Sequence, residues 1–563
     1  MHPSILFFVL LFLPNTTLRD WQNADTPTLH QLMSDGALAL MNANTAEKDT
    51  ITTDAAERTI YAGVPQFGRD HLGGAGYSRV TDNLADGLVN SGVDIAGASP
   101  IAPAPPPFFM PPSDKQFLAA NLSGTWPQID EQIQQFSTLV NNRHGILMIV
   151  SPNPDASDYK VRRRLTPVLL WGAGIPKGYL QSNLTKTIGL ITNVDLAPTI
   201  AKIMGATLPL PVDGMPVMVS ATSENKAVTL LQRDERWIQQ SYTQSLMPYL
   251  AGIVAVLVLF AVTYTQGRKK VGAGIVAALT MVPLALLLGS NIPVTAILLA
   301  IGLLIGLKAL LPDDTSPFTA LSIVIFLLID SYFFAGRLSG ASALGYCPID
   351  GLRYHGIGSE VMGAYIGALA VLTGLWDWKG EHRRPLILLW IIAALSLSLP
   401  FAGGQPGGLI ACAAVLAGYV MVGKGAKLTQ VKTVLAILTA GILAFAILLA
   451  FHQFGAKDNV PSTFVGTGGF RGILQDAGLD IHVRAFSMWI VILVLTSIGR
   501  VQLSRKDTMS AVGTVATIAC LLCDSNGAAA AAICSLTVWA GEFNRVIKVA
   551  PVSDKNQTEP LQT

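Results

Sequence analysis

From residue 246 to residue 543 the chain is one apolar run after another, and nothing else in the sequence limits its fold as strongly. A hydrocarbon core about 30 Å thick is crossed by roughly 20 apolar residues in a helix. Runs near that length lie at 246–265, 271–289, 293–311, 318–336, 359–376, 385–400, 405–423 and 433–452. Shorter ones follow at 485–499, 509–523 and 527–541, the last two parted by Cys523-Asp524-Ser525-Asn526-Gly527. The pattern predicts an all-α polytopic membrane domain of about 11 transmembrane helices. Composition agrees: 13% of the residues are charged, against about a quarter in an ordinary soluble protein. This argues for a lipid bilayer as the principal partner. A net charge of +2 argues against nucleic acid.

The segments between the runs alternate in charge. One set carries Arg268, Lys269, Lys270, Lys308, Lys379, Arg383, Arg384, Lys424, Lys427, Lys432, Arg500, Arg505, Lys506 and the tail residues Arg545, Lys548 and Lys555, 16 basic groups. The opposite set carries 5: Arg337, Arg353, Lys457, Arg471 and Arg484. Cytoplasmic loops are the ones enriched in Lys and Arg. The reading is therefore a multi-pass protein of the plasma membrane, with residues 1–245 extracytoplasmic and the C-terminus cytoplasmic.

Residues 1–220 read as an α/β domain, 221–245 as a linker helix, 246–543 as the membrane domain and 544–563 as a tail. Ile5 to Leu13 is a short apolar run, either an export signal or the first core strand. Gly145–Ser151 and Pro167–Gly172 read as further buried strands. Leu29, Leu32 and Met33 fall at helical spacing, and Asp195–Met204 reads as a helix stopped by Gly205. Strands alternating with helices predict a largely parallel sheet. All five cysteines lie beyond residue 346, so no disulfide framework holds this domain. Pro100–Pro112 is proline-rich and reads as a surface loop. Arg162-Arg163-Arg164 reads as a solvated basic face.

Three stretches of the α/β domain resemble the alkaline phosphatase superfamily, which includes sulfatases and phosphodiesterases. They are Thr166–Gly178 with Asn193–Thr199 and Gly205, then Thr26–Ala37, and then Thr53–Gly63, which resembles the nucleophile segment. The resemblance implies that Thr53 stands at the nucleophile position. It also implies two divalent metals on clustered Asp and His ligands, which would ionise that hydroxyl. The expected ligand positions here read Leu13-Pro14-Asn15 and Ser151-Pro152-Asn153, and Asn193 stands two residues before Asp195. The expectation is a degenerate, metal-free domain with no cofactor. On that reading Thr53 is a helix N-cap and Asp195 starts its own helix.

In the apolar half, Gly345–Glu360 is rich in polar groups, with Arg353, His355 and Glu360 as candidate anion-binding residues. This loop resembles an "RYYGIGNE" segment of an uncharacterised bacterial family that joins a phosphatase-like outer domain to a multi-span membrane domain. Leu522–Ala529 resembles that family's "NDSG" segment, with Asp524 a further candidate. Gly466, Gly468, Gly469 and Gly472 make the 453–484 segment glycine-rich. Asp330 and Glu542 lie within or near apolar runs, where a carboxylate needs a polar partner.

Three functions stay open on these residues. The first is an envelope protein whose outer domain binds a phosphorylated, lipid-linked or other anionic envelope ligand without cleaving it. The second is a membrane-anchored, metal-dependent phospho- or sulfo-hydrolase or transferase, with ligands among Asp20, Asp70, His71 and His144. The third is a transporter.

Overall fold

A computed structural model of the chain describes residues 7–45, 51–66, 83–97, 115–210, 212–243, 247–266, 269–289, 316–350, 354, 356–376, 383–399, 402–453, 483–503, 508–523 and 527–549. The chain divides into two compact units. The first includes Met1–Tyr242 and Tyr346–His355. The second takes in Thr243–Gly345, Gly356–Gly455 and Leu474–Thr563.

The first unit is a nine-stranded sheet with helices on both faces. Its strands are β1 (Phe7–Phe12), β2 (Ala37–Asn42), β3 (Asp94–Gly97), β4 (Gln116–Asn121), β5 (Ile146–Val150), β6 (Leu165–Gly172), β7 (Gly178–Gln181), β8 (Leu190–Thr192) and β9 (Met218–Ala221). They run in the order β3-β4-β1-β5-β6-β2-β7-β9, with β8 also on β2. The Ile5–Leu13 run therefore forms a central strand: β1 pairs parallel with β4 on one side and β5 on the other. Every residue of β1, β2 and β5 is buried, as expected of strands covered on both faces.

Side-chain alternation divides that core in two. Phe8, Leu10, Met41 and Met148 face helices α3 (Thr53–Ala62), α4 (Asn83–Asn90) and α7 (Leu196–Met204). Phe7, Val9, Leu11, Leu40 and Ile149 face α1 (Leu18–Asn23), α2 (Pro27–Asp35), α5 (Trp126–Asn142) and α8 (Lys226–Thr243). A short helix α6 (Ala156–Lys160) follows β5. Helix starts are signalled locally. Thr125 and Gln128 form a capping box before α5, and Pro27 occupies the first turn of α2. Helix α8 belongs to this unit rather than linking away from it, because Ala227, Leu230 and Ile238 complete the second face of the core.

The sheet is mixed, which corrects the largely parallel expectation. β6 runs antiparallel to both β5 and β2, and β9 runs antiparallel to β7. A continuous apolar run such as Pro167–Gly172 specifies burial on both faces but carries no information about strand direction.

The second unit is helical: α9 (Met247–Thr265), α10 (Lys269–Leu288), α11 (Ser316–Phe334), α12 (Arg337–Gly340), α13 (Ser359–Trp376), α14 (Arg383–Ser398), α15 (Pro406–Val422), α16 (Val431–Gln453), α17 (Val483–Leu503), α18 (Thr508–Cys523) and α19 (Gly527–Val549). Helices α13 and α19 lie at its centre. A Cβ at Gly363 would sit 2.1 Å from the Ala530 carbonyl oxygen, so the two backbones meet where neither carries bulk.

The expectation of about 11 transmembrane helices is overturned. Among the described residues only two helices are long and apolar enough to cross a membrane, Ser359–Trp376 and Val431–Leu448. Seven others are apolar over only 10–17 residues. At 1.5 Å per residue those stretches cover about 15–26 Å, short of a core about 30 Å thick. Counting apolar runs overlooks this, because it gives the length of a run and not of the apolar stretch within the helix; the run 293–311 lies outside the described residues. The first of the two is also 83% buried inside the unit, as a core helix would be, while Val431–Leu448 is only 11% buried.

Candidate functional site

Parallel pairing of β1 and β5 in the register Phe12↔Val150 brings the segments after both strands side by side. In α/β sheets that is where ligands usually sit, beyond the carboxyl ends of the strands. Ser151 Oγ donates to the Thr16 carbonyl (2.7 Å) and to the Asn153 carbonyl (3.2 Å), and Trp21 Nε1 donates to Thr16 Oγ1 (3.0 Å). These bonds knit 13–17 to 151–155. Asn15 adopts φ 58°, a left-handed conformation that Asn tolerates better than most residues.

Into this corner points the start of α3. Its N-cap is Thr52, whose side chain accepts from the Ala55 N–H. Thr53 is the first helical residue, which frees its own hydroxyl and corrects the N-cap reading. Thr53 Oγ1 donates to Asn153 Oδ1 (3.1 Å), and Asn153 Nδ2 donates to Asn15 Oδ1 (2.8 Å). Thr53 is half-buried, Asn153 buried and Asn15 exposed, so the relay runs from the interior to the surface.

This relay is electrically neutral. A carboxylate or imidazole beside Thr53 would take its proton; an amide oxygen does not, so the bond to Asn153 does not activate the hydroxyl. The donor set also does not fit a pair of divalent metals. Amides stand at both expected ligand positions, and neutral amide oxygens lack the charge and basicity of Asp and His. Among the described residues no group of three or more His, Cys, Asp or Glu is arranged to hold a metal.

Of the alternative ligands, two are among the described residues, Asp20 and His144. Asp20 accepts from the Thr17 N–H and hydroxyl (both 2.7 Å) in the capping box of α1. His144 lies at the amino end of β5, the opposite end of that strand from Asn153. Asp70 and His71 lie outside the described residues, as do Arg353, His355, Asp524 and the glycine-rich segment. Glu360 is half-buried in the first turn of α13.

Asp195 is the third residue of a capping box with Thr192. Its carboxylate accepts from the N–H groups of Thr192 (2.8 Å) and Met215 (2.7 Å). Burial pushes its pKa up to about 6. Next to it Asn193 Nδ2 donates to the Asn44 carbonyl (2.8 Å), tying the end of β8 to the end of β2.

The basic triplet is engaged rather than simply solvated. Arg162 donates to the Ser241 carbonyl and its guanidinium lies over Tyr242. Arg163 pairs with Asp158 at 3.5 Å, and Arg164 lies over Tyr159. These contacts pin α6 and the end of α8.

In the helical unit, Arg500 lies inside α17 and not in a loop. Its Nε and Nη2 reach the two oxygens of Glu542 on α19, each at 3.2 Å. Nη1 reaches the Gly513 carbonyl and Thr517 Oγ1, and Nη2 reaches the Ser510 carbonyl and Thr514 Oγ1, all on α18. The position of Arg500 between apolar residues gave no hint of this partner, although Glu542 called for one. Asp330 accepts from the N–H groups of Leu338 (2.9 Å) and Ser339 (2.8 Å), capping α12.

No family model matches this chain, and no curated protein matches it.

Proposed function

We propose that the chain is an integral membrane protein of the cell envelope whose α/β unit is extracytoplasmic and binds a phosphorylated or other anionic envelope ligand without cleaving it. The reading rests on one observation above all: the Thr53 hydroxyl is bonded to the amide of Asn153, where a hydrolase of the phosphatase and sulfatase type requires a charged metal ligand. What remains at that corner is a hydroxyl, two carboxamides and the start of a ten-residue helix. Those groups suit hydrogen bonding to an anion rather than bond cleavage.

Membrane residence is supported by the outer surface of the helical unit. Val258 and Leu259 of α9, Phe318 and Phe333 of α11, Leu388 of α14, Leu435, Leu438, Ile442 and Leu443 of α16, Ile498 of α17 and Leu522 of α18 are all exposed. Soluble surfaces rarely carry large apolar patches, and these residues recur on six helices. Loop charge supports the orientation, with Arg500 now removed from the cytoplasmic set.

The test uses the purified full chain in detergent. Inorganic phosphate and sulfate, titrated by calorimetry, are expected to bind with or without a chelator. p-Nitrophenyl phosphate and p-nitrophenyl sulfate are expected to stay intact with zinc or manganese present. Turnover that follows added metal and disappears on chelation would establish the hydrolase reading instead.

A further inference from the structure

Thr166, the second residue of β6, is wholly buried at 0% exposure, and its hydroxyl oxygen has no hydrogen-bond partner. Buried polar groups in folded proteins nearly always have one, and an orphan costs its full desolvation. Valine would fill the same space without that cost. Another buried threonine of the same unit shows the usual arrangement. Thr199 Oγ1 donates to the Asp195 carbonyl and accepts from the Val217 N–H (2.9 Å).

Strand pairing fixes where the Thr166 side chain lies. β6 stands between β5 and β2. Val168 is opposite Val150 on β5, and Thr166 is opposite Met41 on β2. Alternate residues of a strand share a face, so Thr166 points the same way as Val168 and Leu170. Those two, with Met41 and Val150, belong to the core that α3 covers. Because β6 is antiparallel to β5, Thr166 lies two positions past Val150, level with the segment that carries Ser151 and Asn153. The Ser151 N–H, which donates to the Pro167 carbonyl (3.0 Å), holds this level.

The first turn of α3 is tied to the same place, since Thr53 Oγ1 reaches Asn153 Oδ1 (3.1 Å). Two threonine hydroxyls, one from the sheet and one from the helix, therefore lie on one side of the sheet at the carboxyl end of β5. Neighbouring strands are about 4.8 Å apart, so Thr166 is a single strand spacing from that end. Thr53 is half-buried and Asn15 exposed, which leaves Thr166 innermost.

We propose that Thr166 is the inner hydroxyl of the anion site: together with Thr53 and the first N–H groups of α3 it donates to the oxygens of a phosphate or sulfate group. This deepens the anion-binding reading and rests on it. A tetrahedral oxyanion takes donors from several directions, and the start of a helix of ten residues supplies one set. The buried hydroxyl supplies another from the sheet, and the bond it lacks within the fold is the one it makes to the anion.

The test uses the full chain in detergent, with inorganic phosphate and inorganic sulfate titrated separately by calorimetry. Thr166→Val is expected to weaken binding by about tenfold or more, the loss of one hydrogen bond to a charged group, and the anion more affected is the one the site is built for. Thr166→Ser keeps the hydroxyl and is expected to bind as the unmodified protein does. Without added anion, hydrogen exchange of β5 and β6 peptides is expected to be no faster in Thr166→Val than in the unmodified protein, because no bond within the fold is lost. Thr199→Val, which loses two, is expected to exchange faster. If Thr166→Val exchanges as fast as Thr199→Val, the hydroxyl serves the fold and the proposal fails. If Thr166→Val binds both anions unchanged, or Thr166→Ser binds as weakly as Thr166→Val, Thr166 is no part of the site, and the anion-binding reading stands without it. If the unmodified protein binds neither anion, that reading and the proposal fall together.

Discussion

The two units bury polar groups by different means. In the α/β unit many buried polar side chains near the site are neutral and bonded to backbone or to one another, Asn42, Ser151, Asn153, Asn193 and Thr199, and the buried carboxylate of Asp195 is met by backbone N–H groups rather than a cation. In the helical unit the three helices α17, α18 and α19 meet on a full ion pair, Arg500 with Glu542, at 7% exposure each. The apolar residues differ as well. Large apolar side chains in the first unit are mostly directed inward, whereas the second exposes them along α9, α11, α14 and α16. Under the proposed membrane reading the two units meet different solvents. The first unit turns its polar atoms to water, so its interior need specify only geometry. The second lacks apolar burial as its sorting principle, because Leu and Ile occur both inside and outside, and a polar clamp then fixes which helices pair.

The most severe test of that contrast is Arg500→Leu. It removes the guanidinium that donates to both oxygens of buried Glu542, and breaking a buried pair costs about 3–5 kcal/mol. The expected result is a sharp fall in folded protein and in melting temperature in detergent. Arg500→Leu combined with Glu542→Leu should recover most of the loss, because replacing a buried pair with apolar side chains is often neutral. If the double variant stays as unstable as the single one, the clamp contributes more than pairing.

A second test asks which solvent α16 meets. Leu438 is 56% exposed within Val431–Leu448. In lipid an Arg at the centre of a helix costs about 2.5–3.5 kcal/mol; in water it costs little. Leu438→Arg should therefore reduce the carbonate-resistant membrane fraction of the protein. Unchanged fractionation with improved solubility would make this face a water-exposed or protein-binding surface.

A third effect belongs to the α/β unit alone. Asp234 on α8 is half-buried, and desolvation followed by repulsion from Glu235 pushes its pKa up to about 7, while Arg163 and Arg19 oppose the shift and Asp158 adds to it. The folded unit thus holds the proton more tightly than the unfolded chain. Its stabilising effect is complete below the ordinary carboxylate pKa and is lost as pH rises through about 7. Hydrogen exchange of β1 and β5 peptides should show the unit opening more readily at pH 8 than at pH 5. Asp234→Asn should flatten that dependence, and an unchanged slope would locate the titrating group elsewhere.

The two units also differ in how much of them could be read from sequence. Continuous apolar runs announced β1, β5 and β6 and the helical character of the second half. The ends Leu13-Pro14-Asn15 and Ser151-Pro152-Asn153 stood out as places where amides replaced expected ligands, and the structure brings both to Thr53. Periodicity says nothing of strand direction, so antiparallel β6 was missed. It also measures the length of a run rather than of the apolar stretch within the helix, which turned shorter stretches into spans. The hydrogen bond from Asn42 Nδ2 to the Ile349 carbonyl could not be read from sequence, because the two residues lie about 300 positions apart. Arg500 next to an apolar run looks the same whether it ends a helix in solvent or pairs inside a bundle.

The smallest predicted effect is the most diagnostic for the neutral corner of the α/β unit. Thr53→Val keeps the shape of the side chain and removes only the hydroxyl that donates to Asn153 Oδ1. One neutral hydrogen bond contributes about 1 kcal/mol, and a half-buried one less. N-capping is untouched, since Thr52 supplies it. Stability should therefore change by about 1 kcal/mol at most, read as a shift in denaturant midpoint with unchanged slope. Hydrolysis of p-nitrophenyl phosphate, if any is detected at all, should be the same in both proteins, because a hydroxyl bonded to an amide contributes no nucleophile. Affinity for inorganic phosphate should fall only by the few-fold expected from losing one donor. A loss of hydrolysis on the scale of a missing nucleophile, with stability intact, would show that Thr53 is activated by a group other than Asn153 and would place the α/β unit among catalysts.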